Sequence, residues 1–197
     1  VDMASTLQVD GAITGSSTIN GLGISTFGTA SMLISNDGGT GTIDAADNNT
    51  GFGFEVFDDL TSGDENTAVG RKALTLLTTG TDNTAIGSNA LTSTTTGGTN
   101  TAVGKSTLAA NTTASNNTAI GNLAMQTNTT GTQNTAVGSL ALDANTTANN
   151  NTAVGYASLS SNTTGAGNTA MGAVAGTAIT TGSNNALFGY GAGDAIT

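Results

Sequence analysis

Two pairs of neighbouring acids, Asp58-Asp59 and Asp64-Glu65, are the side chains whose type and spacing come nearest to a reaction. Paired carboxylates can divide general acid and base roles, as in glycan cleavage. The plainer reading is a solvated, solubilising turn. Asp37, Asp44 and Asp47, in a Gly-rich stretch, supply the oxygen ligands that Ca²⁺ takes. Their spacing fits neither an EF-hand nor a Gly-Gly-x-Gly-x-Asp calcium repeat, so a solvated loop is the better reading. The chain has no His and no Cys. That removes imidazole chemistry, Ser-His-Asp triads, thiolate metal sites and disulfides. No Ser sits in a nucleophile-elbow context. The expectation is that the chain is not an enzyme, with no catalytic residue, no metal site and no cofactor.

The elements that carry these residues are dictated by a repeat, and missing it would miscall the fold. Asn-Thr-Ala-Val/Ile/Met-Gly recurs with Asn at 66, 83, 100, 117, 134, 151 and 168, every 17 residues without insertion or deletion. Asn185-Ala186-Leu187-Phe188-Gly189 follows at the same step, and Asn49-Thr50-Gly51-Phe52-Gly53 precedes it. The chain therefore divides into residues 1–48 and a nine-copy repeat over 49–197. The last copy stops four residues short at Thr197, and the natural chain is expected to continue.

Read in columns, the fourth position is always a large apolar residue, from Phe52, Val69 and Ile86 to Met171 and Phe188. The ninth runs Phe57, Leu74, Leu91, Leu108, Met125, Leu142 and Leu159 before Gly176 and Gly193 interrupt it. Two apolar columns five residues apart predict two short strands facing each other across a thin core. The invariant fifth-position Gly predicts a corner with φ > 0 or a close approach of neighbouring coils. Asn-Thr-Thr-Gly/Ala at 111–114, 128–131, 145–148 and 162–165 predicts the second corner. Identical Asn and Thr side chains stacked there can bond to their copies above and below. The small column Ala68, Ala85, Ala102, Ala119, Ala136, Ala153 and Ala170 neighbours the Val/Ile column, so on a strand it takes the opposite face. It suits packing against another copy of the chain, or a tolerant solvent face. The expected fold is all-β, a parallel β-solenoid (β-roll), with nine coils spanning about 40 Å at a strand spacing of about 4.8 Å.

Composition fits such a roll. Only 8% of the 197 residues are charged and 4% aromatic, with no Pro. The net charge of −10 is concentrated early: residues 1–48 and 49–65 each hold five acids and no base, and three acids balance three bases beyond. Without a basic patch no nucleic-acid partner is expected. No eighteen-residue apolar run predicts membrane insertion, and no signal peptide is visible at Val1-Asp2-Met3. The Asn-x-Thr sequons at Asn111, Asn128, Asn145, Asn162, Asn116 and Asn150 read as by-products of the repeat. Thr pairs such as Thr129-Thr130 could form an ice-binding array, but they abut Gly or Ala at a corner, which favours a turn. In residues 1–48, the stretches 6–11, 12–15, 17–21 and 24–28 alternate between Gly breaks. They read as short β segments that pair between chains or wrap a partner.

The Asn-Thr-Ala-Val/Ile-Gly motif resembles the head repeat of trimeric autotransporter adhesins. It is more similar to the repeat of bacteriophage tail-fibre shafts, carried by copies such as Asn134-Thr135-Ala136-Val137-Gly138 with Asn162-Thr163-Thr164-Gly165. The stretch Gly189 to Thr197 looks like such a shaft, and Leu7 to Thr14 is similar to segments preceding one. The resemblance implies a left-handed roll, a homotrimer about one axis, and a structural shaft of a tail fibre or tail spike. It also implies fibre or baseplate subunits as partners, a host surface receptor at the tip, and an extracellular place on the virion tail. A cell-surface adhesin and a self-assembling extracellular filament are the other readings kept open.

Overall fold

The computed structural model describes residues 46–194 and the strand segments 17–19, 22–25 and 32–35. Twelve strands lie in chain order in one sheet. β1 (Ser17–Ile19), β2 (Leu22–Ser25) and β3 (Met32–Ser35) precede the repeat. β4 (Thr50–Phe52), β5 (Thr67–Val69), β6 (Thr84–Ile86), β7 (Thr101–Val103), β8 (Thr118–Ile120), β9 (Thr135–Val137), β10 (Thr152–Val154), β11 (Thr169–Met171) and β12 (Ala186–Phe188) follow, one per coil. All steps from β4 to β12 are parallel, and each residue faces its counterpart 17 residues on, as Ala102 faces Ala119. The result is a parallel β-solenoid of eight complete coils and the start of a ninth, with no helix among the described residues.

The strand faces are the reverse of the expected ones. Ala68, Ala85, Ala102, Ala119, Ala136, Ala153 and Ala170 are fully buried. The Val/Ile column beside them points outward, half-buried or exposed. Alternation made the two columns opposite, as read; bore width decides which one is inside. The ninth-position column (Phe57, Leu74, Leu91, Leu108, Met125, Leu142, Leu159) crosses the core and is at most 1% exposed. A coil of 17 residues has room for one large column there, so the small one faces it.

The wall carrying those leucines is not a strand either. Its residues take left-handed conformations, with φ of 50° at Leu74 and 51° at Leu108, and so do the residues two before them, such as Lys72 (60°) and Ser106 (54°). Each costs backbone energy outside Gly. Burial of the side chain and stacking hydrogen bonds such as Leu108 N to Ala124 O (3.1 Å) offset it. Only the second to fourth positions of each copy are strand.

Both readings of the Gly column hold. φ lies between 117° and 145° from Gly53 to Gly189. A β-carbon at Gly104 would also lie 2.5 Å from the carbonyl oxygen of Gly121 in the next coil.

The corners are closed by asparagine. The Asn that opens each copy is buried. Asn117 Nδ2 donates to Gly131 O (2.9 Å) across its own coil and to Asn100 Oδ1 (3.3 Å) in the coil before. Its Oδ1 accepts from the backbone N–H of Asn134 (3.0 Å). The second Asn ladder, in Asn-Thr-Thr, converges on the same carbonyls: Asn128 Nδ2 donates to Gly131 O (3.0 Å). Two stacked amide columns thus hold one carbonyl per coil, and buried polar groups are tolerated because they are bonded.

The segments 17–19 and 24–25 fall within strands as read, and β3 is an additional strand. β1–β2 and β2–β3 pair antiparallel, and β3 joins β4 in parallel. These strands pair within the chain rather than between chains. The segments read at 6–15 lie outside the described residues.

Candidate interaction surface

The outward face of the sheet carries two parallel columns, Thr at the second position and the large apolar residues at the fourth. Because the coils stack in register, the apolar column is unbroken: Phe52, Val69, Ile86, Val103, Ile120, Val137, Val154, Met171 and Phe188. Exposure reaches 40% at Ile86 and Ile120, 43% at Met171, 56% at Phe52 and 66% at Phe188. Single exposed apolar residues are ordinary, whereas a contiguous exposed patch marks an interaction face. Beyond the Gly corner, Phe54, Arg71, Lys105, Tyr156 and Tyr190 are exposed in the neighbouring column. The Ala column expected to serve as an interface is core and offers none.

The other faces are polar. In each Thr pair the first hydroxyl bonds up the stack, as Thr129 Oγ1 does to Thr146 O (3.0 Å), and the second, such as Thr130, is exposed. This is turn chemistry and agrees with the corner reading. Asn111, Asn128, Asn145 and Asn162 are buried, so those sequons are closed in the folded chain, while Asn116 and Asn150 are exposed.

The acids singled out by type are dispersed into structural contacts. Asp64 Oδ1 accepts the backbone N–H of Asp47 from the coil before (2.7 Å), and Glu55 pairs with Lys72 in the next coil (2.7 Å). Both ends of that ion pair are partly exposed, and such pairs are worth up to about 1 kcal/mol. Asp58 and Asp59 are half-buried on the turn wall. Of the three candidate calcium ligands only Asp47 is described; Asp37 and Asp44 lie outside the described residues. Among the described residues no three acids, His or Cys cluster as a metal site, and no helix is long and apolar enough to cross a membrane.

One acid missed by sequence stands out. Asp143 Oδ1 is buried without a hydrogen-bond partner. Burial raises its pKa above the ordinary carboxylate value, against backbone hydrogen bonds from Asp143 and Ala144 that lower it. Nothing in the residue order around Asp143 sets it apart from Gln126 or Ser160 in the same column, so no sequence signal pointed to it.

No family model, no curated protein and no solved structure matches the chain.

Proposed function

We propose that the chain is a structural shaft segment: a left-handed β-roll that assembles as a homotrimer and holds a host-recognition tip at a distance, in an extracellular bacteriophage tail fibre or tail spike. One observation carries this reading, the unbroken apolar stripe from Phe52 to Phe188 along the outside of a gap-free stack. A soluble rod gains by covering such a stripe. A straight stripe in strict register is covered most simply by the same stripe on other copies. The repeat motif resembles that of trimeric fibres, which favours three copies over two.

The mechanism is mechanical. Stacked backbone hydrogen bonds, two asparagine ladders and a thin Leu-Ala core make each coil depend on its neighbours, as in other solenoids. The low charge leaves a smooth surface outside the seam. Light scattering on the full chain tests the reading. The expected mass is close to three times 19.0 kDa; a 19.0 kDa species at working concentrations refutes it.

A further inference from the structure

We propose that β1–β3 is an edge guard, which by pairing with the first coil keeps a second copy of this chain from joining there end to end. Three observations carry it. The first is a change of direction in the sheet. From β3 to β12 every step is parallel, whereas β1–β2 and β2–β3 are antiparallel, so a short meander lies on the edge of the stack.

The second is that the coil under the meander is built to join. Asn49 Oδ1 accepts from Asn66 N (2.9 Å) and Nδ2 (3.0 Å), as Asn66 Oδ1 accepts from Asn83 (3.0 and 3.1 Å). Thr50 N donates to Asn66 O (2.9 Å) as Thr67 N does to Asn83 O (2.8 Å). β4 is Thr-Gly-Phe, with no Lys or Pro to blunt its edge. Uncovered, it would present the edge that every interior coil presents to the coil before it.

The third is the complementary edge. Asn185 N and Nδ2 donate to Asn168 Oδ1 (3.0 and 2.9 Å), and β12 pairs onward with no strand among the described residues. Asn185 Oδ1 is the acceptor that the N–H and Nδ2 of an Asn one coil further would fill, and Asn49 on a bared β4 is such an Asn. The two edges differ and match. Their contact is head-to-tail and non-closing, which makes open filaments rather than closed particles. Covering β4 removes one of the two partners.

The test is Ile34→Pro in the full chain. Ile34 sits opposite Phe52 of β4 and Ile24 of β2, and proline neither donates to a ladder nor fits a strand interior. Hydrogen exchange at residues 50–52 should rise about tenfold or more as the edge opens. The light-scattering mass, independent of concentration in the parent, should then climb in whole multiples of the parent mass. Adding Thr50→Lys, a charge on the bared edge, should return it to the parent mass. Faster exchange with an unchanged mass overturns the proposal, as does unchanged exchange. A mass increase that Thr50→Lys fails to reverse overturns it too, because misfolded aggregation would then be the cause. Each mass is compared with the parent's own, so the result stands whatever the number of chains in the shaft.

Discussion

Gly176 and Leu187 exchange volume across the core. Every earlier copy has Ala, or Gly51, at the third position and a large residue at the ninth; here the third is Leu187 and the ninth is Gly176. A β-carbon on Gly176 would lie 3.0 Å from Leu187 Cδ1 and 2.8 Å from Leu159 Cδ2. Leu187 therefore fills the space that a leucine at 176 would occupy.

Gly176→Leu alone should overpack this layer and cost about 1–3 kcal/mol. The backbone is not the obstacle, since φ is 70° there and Leu159 holds 51°. With Leu187→Ala added, most of the loss should return, a coupling of about 1 kcal/mol or more in a double-mutant cycle. Urea unfolding of the four proteins measures it. Additive effects would contradict the exchange.

The asparagine ladder predicts a larger cost at one corner. Asn117→Leu strips the buried N–H of Asn134 of its acceptor and Gly131 O of one donor. Each orphaned group costs about 1–3 kcal/mol. Thermal unfolding should show a loss well beyond that of Asn116→Leu, one residue away on the exposed ridge.

Position in the stack separates two glycines of one column. Gly104→Ala drives a β-carbon within 2.5 Å of Gly121 O, whereas the same change at Gly189 meets nothing within 4 Å and only strains a φ of 117°. Gly104→Ala should be the more damaging by several-fold in the unfolding free energy lost, read by urea titration. Equal losses would show that φ, not coil spacing, fixes the column.

These contrasts show how far the sequence could be read. The period, the core role of Leu74 and its column, the Gly corner and the stacked Asn and Thr side chains were all legible, because each is a repeated residue type with one physical use. The facing of Ala102 against Val103 was not. Alternation says that two neighbours differ, and hydrophobicity favours the larger one inside. The deciding quantity is the width of the coil, which is a tertiary property. A trace of it was present: Gly51 with Phe57, Ala with Leu, and Leu187 with Gly176 vary in opposite senses, as facing residues must. The left-handed wall was hidden because leucine gives no sign of positive φ.

Asp143 makes stability depend on pH. Its folded pKa is raised by burial, so the folded chain holds this proton more tightly than the unfolded chain does. Its contribution is then most favourable below the unfolded pKa and is lost as pH rises through the folded one. Asp143→Asn should therefore gain stability over the parent at neutral pH, with the gap closing in acid. Urea titrations of both proteins across that range check the sign. A gap that widens in acid would contradict it.

The central claim is that the stripe from Phe52 to Phe188 is a seam between copies in register, and cysteine placement tests it most directly because the chain has none of its own. Val103→Cys lies on the stripe and Thr113→Cys on the exposed face of the Asn-Thr-Thr corner. Mild oxidation should join the Val103→Cys chains into a disulfide-linked pair on a non-reducing gel and leave the Thr113→Cys chains single. Val103→Cys chains that stay single, or that cross-link no faster than Thr113→Cys, would contradict the account.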